Sequence, residues 1–245
     1  MTKVALITGA AKGIGAATAI TFAKNKYEVI INYLSDHAAA TDLVDRIKQQ
    51  GGSARAICAD VSTDTGVKQL FAEISHHYSH LDVLINNAGQ PAEPAFGQLS
   101  ASSIAESIAG NVSSAILCSQ AAIALLKPGS SILFTGSIYG LNFGGHPQLI
   151  VYSAGKAALV NFAQSLAESL APAIRCNIVA PGYTKTPAWN GTSEADIRRL
   201  LAQNLQPEWI ESSEIADAFL FLAQSPHITG QTIVVDGGWQ KSKTI

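Results

Sequence analysis

Short apolar runs rich in β-branched residues alternate with longer helical stretches along the whole chain, and that alternation narrows the fold to one class. The runs fall at residues 4–8, 28–32, 54–58, 83–86, 131–135, 175–179 and 231–235. Helical patterns lie between them at residues 13–25, 38–50, 65–78, 102–126, 152–170 and 212–224. The runs are apolar throughout, the pattern of strands covered on both faces of a parallel sheet. Gly51-Gly52 and Pro128-Gly129 stop two of the helices. No linker, repeat or low-complexity segment divides the series, so the sequence predicts a single doubly wound α/β domain over residues 1–245.

Composition excludes several function classes. Hydrophobic residues make up 47% and charged residues 14%, enough to fill a large core. A formal net charge of −2 and the lack of any basic run argue against a nucleic-acid partner. Cys58, Cys118 and Cys176 are odd in number and sit inside predicted elements, so they read as small buried hydrophobes of a reducing compartment. Thr2-Lys3 leads directly into the first strand, with no targeting signal. Residues 107–126 carry no charge, but Asn111, Gln120 and four serines interrupt them. A buried interface helix is expected there instead of a membrane span. The chain reads as cytoplasmic.

Two long connections break the rhythm, at residues 136–151 and 181–207. Both follow strand C-terminal ends, where an open α/β sheet collects ligands. Residues 183–207 are expected to form a substrate lid, with Trp189 as its anchor. His146 in the first connection reads as a solvated loop histidine. His76, His77 and His80 close a predicted surface helix without the Cys or carboxylate that a fixed zinc site needs, and no metal is expected.

The first connection is a glycine turn, Thr8-Gly9-Ala10-Ala11-Lys12-Gly13-Ile14-Gly15, placed after the first strand and opening the first helix. Glycines let a pyrophosphate approach the backbone while the helix N-terminus faces the anion. The second strand then ends in Asn32-Tyr33-Leu34-Ser35, with no carboxylate before Asp36. An acidic side chain there would bind a ribose 2′-hydroxyl and repel a 2′-phosphate. Lys12 is placed either as a solvated lysine or as a point charge on that phosphate. These features predict NADP(H) over NAD(H).

Tyr152 and Lys156 are four apart on one predicted helix face. An ammonium near a phenol draws its pKa toward neutrality and suits it to proton transfer. Ser137 ends the fifth strand, as a cap or as a donor to a carbonyl oxygen. Asn111 puts an amide inside an uncharged helix, where it is costly to bury.

Taken together, Thr8 to Gly15, Asp60-Val61, Asn86-Asn87-Ala88-Gly89, Asn111, Ser137, Tyr152-x3-Lys156, Pro181-Gly182, Ile228-Thr229-Gly230 and Asp236-Gly237-Gly238 resemble the classical short-chain dehydrogenase/reductase family over essentially the full length. The resemblance implies a Rossmann-type sheet and hydride exchange between a nicotinamide and a carbonyl or secondary alcohol. It implies that Asn111, Ser137, Tyr152 and Lys156 are catalytic, with Ser137 on the substrate oxygen and Tyr152 as acid/base. Lys156 would bind nicotinamide ribose, and Asn111 would hold a water leading from Lys156 to solvent. Gly9, Lys12, Gly13, Ile14, Gly15, Asn32, Tyr33 and Ser35 would contact the cofactor's phosphates and adenosine ribose. Asp60 and Val61 would line the adenine, Asn87, Ala88 and Gly89 the ribose, and Pro181, Gly182, Thr184 and Thr186 the carboxamide or phosphates. Ser137 lies fifteen positions before Tyr152, about two more than is usual in the family. The extra residues fall where the substrate would be bordered.

A homotetramer or homodimer through the helices at 102–126 and 154–170 is also implied. Within the family a 3-oxoacyl carrier-protein reductase is an alternative. Its acidic partner needs basic residues, and residues 126–130 and 170–174 offer only Lys127. A sensor or scaffold that kept the fold without catalysis is a third reading, against which all four catalytic positions are filled.

Overall fold

A computed structural model describes residues 2–142 and 144–239. The predicted single domain over 1–245 extends past these at Met1, Phe143 and residues 240–245, which lie outside the described residues. In chain order the elements are β1 (Lys3–Ile7), α1 (Gly13–Lys24), β2 (Tyr27–Tyr33), α2 (His37–Gln49), β3 (Ser53–Cys58), α3 (Asp64–His77), β4 (Leu81–Asn86), α4 (Ala101–Ile108) and α5 (Ser114–Ala122). There follow β5 (Leu126–Thr135), α6 (Ile150–Leu170), β6 (Arg175–Pro181), β7 (Thr184–Lys185), α7 (Glu194–Leu201), β8 (Ile210–Glu211), α8 (Ser212–Gln224) and β9 (Thr232–Val235).

Seven strands form one parallel sheet in the order β3-β2-β1-β4-β5-β6-β9. The chain winds outward from β1 in one direction and then from β4 in the other. Strand order therefore reverses between β1 and β4, and the crevice above their C-terminal ends is the place for a ligand. Both sheet faces are buried, as the apolar strands require. One core, centred on Leu6, Leu84, Phe134 and Ile178, lies under α3, α5 and α6. The other, centred on Ile7, Val29, Phe22 and Phe219, lies under α1, α2 and α8.

Two expectations need correction. The single helix predicted at 102–126 is broken into α4, a π-helical turn at Ala109–Ser113 and α5, and its last residue begins β5. Serine and asparagine side chains compete with the backbone here: Asn111 Nδ2 donates to Ser107 O, Ser114 Oγ to Gly110 O and Ser119 Oγ to Ala115 O. β5 starts early because Leu126 pairs with Leu81 before the register shifts at Val83. The second correction concerns the 181–207 connection, which folds into the β7–β8 ribbon, a short turn at Pro187–Trp189 and α7. Among the described residues no helix is long and apolar enough to cross a membrane. His77 sits by Glu73 and His80 by Asp82, each 3.3 Å away. Carboxylates thus do stand near these histidines, contrary to the reading of the sequence, and each pairs with one ring.

Arg175 is buried at the start of β6, and among the described residues it has no carboxylate within ion-pair distance. Its guanidinium donates to Leu222 O at 2.7 Å, Ala223 O at 2.9 Å and Ile228 O at 3.4 Å. It thereby caps two carbonyls in the last turn of α8 and reaches a third beyond it, with Leu222 O also accepting from Ser225 N and Ile228 O from Asn177 Nδ2. Arg175→Leu should lower the unfolding free energy by about 3 kcal/mol, the cost of stranding buried carbonyls that had a charged donor. Urea denaturation of the two proteins checks this.

Candidate active site

The site is assembled where β1, β4, β5 and β6 end. Gly9 follows β1 with φ of +60°, and a Cβ there would lie 2.8 Å from Ala88 Cα. Only glycine lets the β1 and β4 ends approach so closely. Helix α1 then starts at Gly13 with no capping side chain and no acidic residue in its first turn. Its N–H groups are left without side-chain acceptors at the positive end of the helix. These donors fit the pyrophosphate of a dinucleotide, with Gly13, Ile14 and Gly15 supplying them. Thr186 lies against the same turn, its methyl 3.3 Å from where a Cβ on Gly13 would stand.

Several residues predicted to touch the cofactor are instead used up by the protein. Asn87 Nδ2 donates to Thr8 O and Gly9 O, and its Oδ1 accepts from Thr135 Oγ1 at 3.2 Å. Both donors of the side chain are taken, leaving one acceptor site on Oδ1 and the backbone of residues 87–89 for a ribose. Asn32 is 1% exposed. It holds Ala59 O and accepts from Gly9 N, shaping the glycine turn from beneath. Tyr33 is buried with its hydroxyl 2.7 Å from His37 Nδ1. Val61 packs in the core beside Val67, leaving backbone to line an adenine. Asp60 accepts from Ser62 N and Ser62 Oγ. Thr184 is buried and its hydroxyl donates to Gly182 O, while Pro181 and Gly182 end β6 beside Val235 and Asp236.

Ser35 is exposed at the end of β2, but Lys12 is not a free cation. Its ammonium pairs with Asp36, which also caps α2 by accepting from Ala39 N at 3.0 Å. The Lys12 contact and the Ala39 bond hold the Asp36 carboxyl below its ordinary range. A carboxylate therefore does stand at the β2 end, already matched by the lysine.

Ser137, Tyr152 and Lys156 stand near one another where β5 ends against α6. Ser137 follows β5 and caps the short turn Ile138–Gly140, its Oγ accepting from Tyr139 N at 3.2 Å. Gly140 lets that turn rest directly on α6: a Cβ there would lie 2.5 Å from the Lys156 carbonyl carbon. The contact fixes the height of Ser137 against the first turns of α6, which carry Tyr152 and Lys156. Lys156 is 3% exposed and donates to Thr135 O at 2.9 Å, with Nζ 5.5 Å from the Tyr152 ring centroid. Asn111 sits in the π-helical turn, a distortion common at functional sites. Its Nδ2 donates to Gln90 O and Ser107 O, and among the described residues its buried Oδ1 has no partner.

The electrostatics of the chain alone run opposite to the sequence expectation. Burial pushes the Tyr152 phenol up to about 12, partly offset by the Ser137 hydroxyl. Burial also pulls Lys156 down to about 8. The ammonium is turned to the Thr135 carbonyl instead of the phenol, and desolvation outweighs its attraction.

Sequence reasoning missed an aromatic cluster around Ser137. Tyr139 packs against His146 at 4.9 Å, Trp239 at 5.8 Å and Tyr183 at 6.5 Å between ring centroids. His146 is thus a half-buried ring with one face on Tyr139. Trp189 joins through Tyr183 and Trp209, and its Nε1 donates to Thr184 O. Glu93 and Asp36 were missed as well. No local pattern marks either, since each acts through a partner distant in sequence or across the β2–α2 turn.

This arrangement of an uncapped glycine turn, a strand-end serine and a helical tyrosine–lysine pair defines a nicotinamide-dependent oxidoreductase. A family model described as enoyl-(acyl carrier protein) reductase matches residues 9–240. A 3-oxoacyl-[acyl-carrier-protein] reductase of Synechocystis is 36% identical, over 96% of each chain. An oxidoreductase of Bacillus subtilis is 34% identical over 96% of this chain and 84% of its own. A short-chain dehydrogenase of Burkholderia cenocepacia, solved in complex with NADP, superposes with a TM-score of 0.90 at 31% identity, covering 97% of this chain and 98% of its own. The chain belongs to the short-chain dehydrogenase/reductase family.

A lysine lowered from 10.5 to about 8 by burial costs the fold about 3 kcal/mol at neutral pH. That cost disappears as pH rises from 8 toward 10.5, because there the unfolded chain binds the proton more tightly than the native one. Lys156→Met should therefore raise Tm at pH 7 by about 2–4 °C, after allowing for the lost Thr135 bond. The gain should shrink at pH 10. Calorimetry at the two pH values measures both effects.

Proposed function

We propose that this chain uses NADPH to reduce a small ketone, sugar or steroid-like carbonyl, with Tyr152 as the proton donor. One observation carries the reading: a phenol held protonated beside Ser137 at a strand end that opens onto the glycine turn. When bound, the nicotinamide supplies the hydride. Ser137 Oγ donates a hydrogen bond to the substrate oxygen and holds the carbonyl in place. Tyr152 gives its proton to that oxygen as negative charge develops. The phenol is protonated at neutral pH and has a proton to give. Lys156 would hold the nicotinamide ribose hydroxyls. The unpartnered Asn111 Oδ1 offers an acceptor for a water leading from Lys156 to solvent. Cytoplasmic residence and a homotetramer or homodimer through α4, α5 and α6 belong to the same reading, and light scattering tests the assembly.

NADPH is favoured because Lys12 and the exposed Ser35 flank the place of a 2′-phosphate, although Asp36 competes for the lysine. Asp36→Asn keeps the helix cap and releases Lys12. It should tighten NADPH binding about threefold or more while leaving NADH within twofold. Fluorescence titration of both cofactors reads this, and tighter NADH binding by the wild type would overturn the preference.

Reduction of a carrier-protein thioester is the second reading, favoured by the Synechocystis relative and opposed by the single lysine at 126–130. NADPH oxidation across ketones and acetoacetyl thioesters decides between them. With the best substrate, Tyr152→Phe should lower kcat by about 10³-fold and keep the NADPH Kd within about threefold. More than a few per cent of residual activity sinks the proton-donor role. The wild-type reduction rate should hold level below pH 7 and decline above about pH 8 as Lys156 loses its proton; a rate still rising past pH 9 contradicts that role for Lys156.

A further inference from the structure

The first turn of α6 needs acceptors for its N–H groups, and its own sequence does not provide them. Leu149, at the N-cap, has no side chain able to accept. A residue far away in sequence fills the gap. Glu93 Oε1 accepts from Val151 N at 3.0 Å and Glu93 Oε2 accepts from Tyr152 N at 2.8 Å. Both oxygens are engaged, one on the catalytic tyrosine's own amide. A carboxylate here also meets the positive end of a helix of 21 residues.

Glu93 reaches this place from the segment after β4, whose start is tied to the rest of the site. Gln90 O accepts from Asn111 Nδ2 at 3.1 Å. Gly89 passes so close to Asn111 that a Cβ would stand 2.5 Å from its Oδ1. Residues 89–93 therefore run from the cofactor side of the site, past Asn111, to the backbone of Tyr152. The outer part of the segment is open to solvent, with Phe96 74% exposed.

We propose that Glu93 is a positioning residue for the reaction: its carboxylate clamps the amides of Val151 and Tyr152 and so sets the phenol against Ser137. The inference rests on the carbonyl-reductase reading for its kinetic arm. Loss of the clamp frees the first turn of α6, and a displacement of about 1 Å at a reacting group is enough to cost roughly 100-fold in rate. Substrate and cofactor contacts elsewhere are untouched, so binding is spared.

Glu93→Ala and Glu93→Gln test it against the wild type by peptide-resolved hydrogen exchange and steady-state kinetics. In the alanine variant the peptide over residues 149–156 should exchange at least tenfold faster, with the β1 and β4 peptides unchanged. Its kcat should fall about 10- to 100-fold, with KM for the carbonyl and the NADPH Kd within about threefold. The glutamine variant keeps one acceptor and should recover part of the lost kcat, and it serves alone if the alanine variant does not fold. Unchanged exchange at 149–156, a kcat within twofold of wild type, or a kcat loss matched by an equal loss of NADPH affinity each overturns the proposal. Absence of turnover by the wild type on every carbonyl counts against the reductase reading only, and the exchange result then decides whether Glu93 holds the helix.

Discussion

One amide holds the site together. Asn87 binds Thr8 O and Gly9 O at the end of β1 and receives Thr135 Oγ1 from the end of β5, while its own backbone continues β4. Three neighbouring strand ends are thereby fixed in relation to one another where the sheet reverses its winding. The glycine turn hangs from the first, the 89–93 segment from the second, and Ser137 with the Thr135 carbonyl from the third. An amide tied by three hydrogen bonds to two neighbouring strand ends is held in one orientation, which a set of groups needing sub-ångström placement requires.

The second organising fact is a trade between stability and chemistry. Lys156 lies in the interior bonded to a carbonyl, with no carboxylate paired to it among the described residues, so its charge is held against desolvation. Tyr152 is held protonated by the same burial. Neither side chain is where folding alone would put it, and the cost is borne by the two apolar cores on either side of the sheet. Such paired departures from ordinary titration are common where proton transfer is the task.

Much of the fold and part of the site could be read from the sequence, for a definite reason. The strands are apolar runs, and Tyr152-x3-Lys156 is a spacing that a helix turns into proximity, so both are local signals. What stayed hidden depends on tertiary contact. Asn32 looks like a strand-end ligand until β3 is placed beside it and its amide is taken by Ala59 O. The break at Asn111 is invisible to periodicity, because serine and asparagine side chains redirect the backbone over one turn. Glu93 meets its two amides across 58 and 59 residues of sequence. Gly140 reads as a loop glycine until its turn is seen resting on Lys156.

The pairing of Lys12 with Asp36 has a consequence for how the molecule behaves outside dilute buffer. Both side chains are largely solvent-exposed, at 56% and 40%, so mobile ions reach the pair from most directions. The screening distance in water shrinks to about 8 Å at physiological ionic strength and about 3 Å at 1 M. The internal pair is a contact and fades slowly with salt, whereas the pull of the lysine on a phosphate arriving from solvent fades quickly. The reach of the Lys12 charge beyond its own partner is thus set partly by the medium, while the contact with Asp36 depends on it far less.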